Sequence, residues 1–389
     1  MPVGKIVLAS YLVRCPLGGY AWQVAHYLVG LRALGFDVWF YEDSGYYAPA
    51  YNPMTNEFDS RYDYGIKAAA DFLDRIGFGD RWVFVDCEGG TAHGPGAGRV
   101  DVILRDSDLL VNLAGVNRIP PERRGGHPAM YVDLDPAYTQ LRLVNGDAAL
   151  RALLDEHEHL FTFGENIGTA RCPVPSGGYA WQPTRQPVVM RFWENAGPPG
   201  PAYTTVGKWN TRDRDVTYDG EAFHWSKRTE WMRCLDLPAR TGAVFELAMD
   251  VQSVSGDVEL LAAHGWRIVD PIALSADCWR YRDYLRGSRG EFTVAKDMNV
   301  RLRSGWFSDR AASYLAAGRP VIEQDTGFGD VLPLGPGLHA FRTVGEAADA
   351  VRTIEADYGR ASRYATEVAR EYFAADKVLE RLLRVAGFA

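Results

Sequence analysis

The chain has 389 residues, 47% of them hydrophobic and 24% charged. This is the composition of a folded protein long enough for two domains, and it excludes disordered, collagen-like and coiled-coil chains. Lys and Arg number 42 against 50 Asp and Glu, a net charge of −8, which argues against a surface built to grip a nucleic-acid polymer or an anionic membrane. Cys15, Cys87, Cys172, Cys234 and Cys278 are odd in number and form no Cys-x-x-Cys pair, the pattern of reduced thiols in a cytoplasmic protein. The apolar stretch after Lys5 is short for a signal peptide, and no run is long enough for membrane insertion.

In chain order, Lys5 to Tyr11 reads as a buried strand, followed by a loop with Gly18 and Gly19 and a helix from Tyr20 to Leu34. Gly35 stands where a left-handed residue closes a helix, and the run Phe36–Tyr41 resumes as a strand. Strand, helix and strand with short joints make a parallel α/β unit. Further apolar runs at Trp82–Val85, Leu109–Leu113 and Met130–Leu134 extend it into one doubly wound domain. Tyr46–Asp63 and Glu88–Gly98 read as surface loops of functional length. The Pro- and Gly-rich stretch from 173 to 201 marks the domain boundary, with residues 1–195 before it.

Beyond it the alternation resumes, with strands expected at Ala202–Val206, Val244–Leu247, Trp266–Val269, Glu291–Ala295 and Pro320–Glu323. Helical patterns at Ser226–Leu235, Val258–Ala263 and Asp277–Leu285 separate them. Residues 196–370 thus form a second α/β domain. Thr343 and Glu346 spell a capping box, and Asp376 stands where it would cap a final helix within 371–389 that packs back on the first domain. Two such domains leave a cleft at the carboxyl ends of their strands.

The segment Arg303-Ser304-Gly305-Trp306-Phe307-Ser308-Asp309-Arg310 combines a small-residue loop, an N-capping serine and flanking guanidinium groups. A helix start with free N–H groups attracts phosphate, and Arg303, Arg310 or Lys296 would neutralise a diphosphate. One helix later, Gln324-Asp325-Thr326-Gly327-Phe328 places polar groups at a strand end, where sugar hydroxyls need several hydrogen bonds at once.

Gly305–Arg310, Tyr314-Leu315-Ala316-Ala317-Gly318-Arg319-Pro320-Val321 and Gln324–Phe328 resemble the donor half of bacterial glycosyltransferases of the two-Rossmann GT-B architecture. The resemblance implies two Rossmann-like domains facing across a cleft, with closing helices. It implies a nucleotide-sugar co-substrate, a UDP-sugar in the commonest case, and no required metal. The diphosphate would lie on Ser304, Gly305, Trp306, Phe307 and Ser308, and the sugar near Asp325, Thr326, Gly327 and Phe328. The sequence departs from the inverting pattern in having no His in Val13-Arg14-Cys15-Pro16-Leu17, and from the retaining pattern in having no pair of Glu residues around the donor loop.

Inverting transfer needs one base for the acceptor hydroxyl. Asp135 and Glu165 follow strands of the first domain, and His93 lies in the Gly-rich loop. Gly18, Gly19, Tyr20 and Trp22, with the tyrosines of Tyr46–Tyr64, suggest a small aromatic or nucleoside acceptor. The expectation is a hexosyltransferase, monomeric or homodimeric, whose partners are a small-molecule acceptor and a nucleotide-sugar donor, with no nucleic-acid polymer. An epimerase or hydrolase acting on the donor alone, and a non-catalytic nucleotide-sugar binder, are the alternatives.

Overall fold

The computed structural model describes residues 2–211 and 213–388, so Met1, Arg212 and Ala389 of the expected domains lie outside the described residues. The first sheet has eight strands in the order Gln182–Pro183, His159–Thr162, Ala129–Asp133, Leu109–Leu113, Lys5–Ala9, Asp37–Asp43, Trp82–Asp86 and Thr91–His93. All are parallel except the last, which turns back antiparallel along Trp82–Asp86. Ile6, Val7, Leu8 and Ala9 are each at most 1% exposed, which is why the central strand reads as one continuous apolar run.

The second sheet has six parallel strands, ordered Trp266–Val269, Val244–Met249, Ala202–Gly207, Gly290–Thr293, Val321–Gln324 and Leu338–Phe341. Two small antiparallel hairpins, Ala50–Asn52 with Glu57–Asp59 and Val216–Tyr218 with Glu221–Phe223, stand outside the sheets.

In the helix Gly18–Ala33 the residues from Ala21 to Leu31 are buried without interruption, which is why it shows no polar face. One side meets the second domain: a Cβ on Gly18 would sit 2.4 Å from the Cβ of Tyr281, in the helix Cys278–Gly287. The other meets the C-terminal helix Ala375–Val385, where a Cβ on Gly30 would sit 2.5 Å from Leu379 Cδ1. Trp22, 2% exposed, is ringed by Phe72, Phe192, Trp193 and Trp279, and its indole N–H donates to the Cys278 carbonyl at 2.7 Å. Gly18 and Trp22 therefore serve domain docking, which leaves them no face for an acceptor.

Candidate active site

The carboxyl ends of the two sheets face each other. Asp135, two residues past the strand Ala129–Asp133, meets Lys296, just past Gly290–Thr293, with Lys296 Nζ donating to Asp135 Oδ1 at 2.6 Å. The same ammonium lies 3.2 Å from the centre of the Trp225 ring. Burial pulls the Lys296 ammonium below its ordinary value, and Asp135 partly restores it. Tyr20 lines this gap, its ring edge-on to Tyr11 at 4.7 Å. Burial first, then the charges of Cys15, Asp135 and Asp309, push the Tyr20 phenol above its ordinary range.

Lys227 stands 5.2 Å over the ring of Trp306, and among the described residues its ammonium has no hydrogen-bond or ion-pair partner. Burial, with the like charges of Arg310 and Lys296, lowers it to about 7. Beneath it lies a polar floor. Glu291 and Glu323 point up from adjacent strands in which Thr293 is opposite Glu323, and both carboxyls are fully buried. Arg310 donates to Glu291 from Nε, to the Val206 carbonyl from Nη1 and to Thr293 Oγ1 from Nη2. Glu291 and Glu323 each keep one oxygen without a partner among the described residues. Burial, with Glu291 alongside, drives Glu323 well above the usual carboxylate range, the expected result for two acids sharing a dry site.

Four of the five amides in the phosphate cradle expected at Ser304–Ser308 are taken within the chain, and the Phe307 N–H has no partner among the described residues. Ser308 is the N-cap of the helix Asp309–Ala316, accepting from the Ala311 N–H, and its own N–H donates to Glu323 Oε1 at 3.2 Å. Arg310 N donates to Asp309 Oδ1, Trp306 N to Ser304 Oγ, and Gly305 N to the Thr326 carbonyl.

Arg303 is held by Asp325 at 3.3 Å and by Asp330 at 3.8 Å. Asp325 also accepts from Arg342 Nε and from the Gly327 N–H. Gly305 and Gly327, both left-handed, admit Asn166 of the first domain, which a Cβ at either would meet at 2.7 Å. Asn166 donates from Nδ2 to the Arg303 and Gly327 carbonyls and from its backbone to the Ser304 carbonyl. These two glycines form an interdomain clasp. Thr326 is buried against the Trp306 carbonyl, and Phe328 packs on Phe307, which in turn packs on Phe373.

The other expected bases sit apart from Asp135. Glu165 accepts from Arg185 at 2.6 Å and lines a different cavity. His93 lies on the antiparallel edge strand beside Phe84. Gly19 borders Tyr281 at the domain junction.

Sequence reading passed over Glu291, Glu323, Glu42 and Asn166. Glu42, wholly buried, accepts the N–H groups of Leu12, Val13 and Arg14 and the Arg14 Nε, and so shapes the loop after the first strand. The signal for the glutamates was present: a carboxylate inside a run of buried strand residues is anomalous unless partnered. Among the described residues, no group of His, Cys, Asp and Glu is arranged to hold a metal ion, and no helix is long and apolar enough to cross a membrane.

No family model and no curated protein matches the sequence. Solved structures do match over its whole length. An alpha-glucosyltransferase in complex with UDP and a mismatched 13-mer DNA superposes with TM-score 0.62 at 8% identity, over 99% of both chains. HepE of Anabaena, in complex with UDP and glucose, gives 0.59 at 11% identity, over 99% of this chain and 100% of that one. Sucrose-phosphate synthase of Thermosynechococcus elongatus gives 0.55 at 12% identity, over 98% of each. The DNA-bound structures overturn the expectation that excluded a nucleic-acid polymer as partner. That expectation rested on net charge, which sums the whole surface and is silent on a cleft carrying Lys227, Lys296 and Arg310. Two parallel sheets facing across a gap, bridged by C-terminal helices and matched end to end by these structures, show that the chain has the GT-B glycosyltransferase fold.

Proposed function

We propose that the chain is a glycosyltransferase that moves a hexosyl group from a UDP-sugar, UDP-glucose or a close relative, to an acceptor hydroxyl. One observation carries the reading: Lys227, whose ammonium has no hydrogen-bond or ion-pair partner among the described residues, lies within charge range of Lys296, and Lys296 in turn meets the first-domain carboxylate of Asp135. A lone cation there is costly unless an anion completes it. A diphosphate supplies that anion, with Lys227 and Lys296 as its counter-charges and Arg310 fixed below them by Glu291. The cations stabilise charge where it develops as the nucleoside diphosphate leaves.

Asp135 is assigned as the general base. As the diphosphate draws Lys296 away, the Asp135 carboxylate is released to take the acceptor proton while the hydroxyl oxygen attacks the anomeric carbon. Attack from the first-domain side, opposite the leaving diphosphate, gives inversion. Tyr20 and Tyr11 supply the aromatic wall for a planar or sugar-like acceptor, which supports an aromatic or nucleoside substrate. UDP-glucose turnover with and without candidate acceptors tests the proposal, with NMR of the product fixing the anomeric outcome. Turnover without acceptor would instead favour hydrolysis or epimerisation, and UDP-sugar binding without any turnover would favour a binder.

A further inference from the structure

A cavity of about 420 Å³ opens where the closing helices meet both domains. Its size falls within the range of small-molecule sites, about 300–1,000 Å³. Glu165 and Arg185 come from the first domain, Val331 from the second, and Tyr372, Lys377 and Arg381 from the closing helices.

Its charges are not balanced. Arg185 and Glu165 pair at 2.6 Å with side chains only 12% and 5% exposed. Lys377 is taken by Glu371. Arg381 has no hydrogen-bond or ion-pair partner among the described residues, and its charge reaches the same Glu165 that Arg185 holds. The chamber is therefore bordered by one guanidinium paired to Glu165 and by a second, that of Arg381, without a partner of its own among the described residues. The Arg185 guanidinium also lies over the Tyr372 and Phe373 rings, which fixes its plane. Val331, Val378 and Pro183 complete the wall with apolar surface.

We propose that this cavity binds a small organic anion, with a carboxylate or phosphate group on the Arg381 and Arg185 guanidinium groups and its body against Tyr372, Val331 and Val378. A planar guanidinium pair is suited to bidentate capture of either oxyanion. The site adjoins the interdomain clasp on both sides: Glu165 precedes Asn166, and Val331 follows the Gly327 turn. An occupant would hold the two domains in the arrangement described here. The site needs no glycosyl donor and stands whether or not the transfer reaction does.

Isothermal titration calorimetry of the full chain with inorganic phosphate, citrate and glucose 6-phosphate, each with and without saturating UDP, tests it. Phosphate and glucose 6-phosphate report on a phosphate ligand and citrate on a carboxylate one. Arg381→Ala removes an exposed, unpartnered side chain and leaves the fold intact, and Lys227→Met serves as the control in the other gap. The expected result is binding of at least one probe, weakened about tenfold or more in Arg381→Ala and unaltered by Lys227→Met or by UDP. No binding by any of the three, binding indifferent to Arg381→Ala, or binding lost to UDP or to Lys227→Met would each overturn the proposal. Because the Arg381 and Lys227 variants report without UDP, a failure of UDP to bind leaves this test decisive.

Discussion

Lys227 and Asp135 divide the proposed chemistry between a cation without a partner among the described residues and a carboxylate whose partner is removable. Asp135→Asn is expected to lower kcat by about 10²–10⁴, the usual contribution of a positioned base. The same substitution frees Lys296 from its only carboxylate partner among the described residues, so UDP affinity measured by calorimetry should hold or tighten. A merely structural Asp135 would lose binding and turnover together. Lys227 also sets a pH dependence. Its ammonium is lowered from 10.5 to about 7, so it discharges as pH rises through neutrality, and UDP affinity should fall over that interval in the native chain. In Lys227→Met that slope should vanish. The stability term has the opposite sense: between about 7 and 10.5 the unfolded chain holds the extra proton, so the contribution of Lys227 to stability rises with pH across that window.

At the scale of elements, the first helix and the two glycine turns do work that their sequences advertise ambiguously. A Gly-Gly start followed by Tyr-Ala-Trp reads equally as a ligand loop or as a close helix approach. Tyr281 and Cys278, more than 250 positions away, decide for the second. Trp22→Ala should cost about 3–5 kcal/mol of stability, as for other buried tryptophans, with a lower Tm by calorimetry. An effect on acceptor KM alone, at unchanged Tm, would contradict this packing role. Gly327→Ala meets two obstacles, a left-handed backbone at φ +88° and the Asn166 amide at 2.7 Å. It should destabilise by about 1–3 kcal/mol and loosen the clasp, read as faster hydrogen exchange at Asn166 and around Gly305.

Local signals carried some elements well. Thr343 and Glu346 form the capping box that their spacing predicts, and Gly35 adopts φ +96° past the first helix. Ser308 caps its helix as expected. Asp376 does not cap the final helix; Ala374 occupies that position and Asp376 falls in the first turn. The Glu88–Gly98 stretch, read as loop, contains the edge strand Thr91–His93, because three residues on an edge carry no alternation to recognise. His157, in the short joint between the helix Ala148–Leu154 and the strand His159–Thr162, turns inward to Asn112.

For the molecule as a whole, two parallel α/β sheets were readable because buried central strands are continuous apolar runs with helices between them. Which residues meet across the gap was not, since pairs such as Asp135 with Lys296 are 161 positions apart and answer to no local pattern. The donor loop shows the same limit. Its composition is that of a phosphate cradle, but the Glu323 carboxyl, from the following strand, already accepts the Ser308 N–H at its helix start. In the proposed reaction the work expected of the backbone passes to Lys227 and Lys296. Titration of UDP into the native chain and into Lys227→Met, followed by calorimetry at pH 6.5 or below so that Lys227 is charged, measures this directly. Saturable binding by the native chain, weakened about tenfold or more in the variant, is the expected result; no binding, or equal binding by both chains, would contradict it.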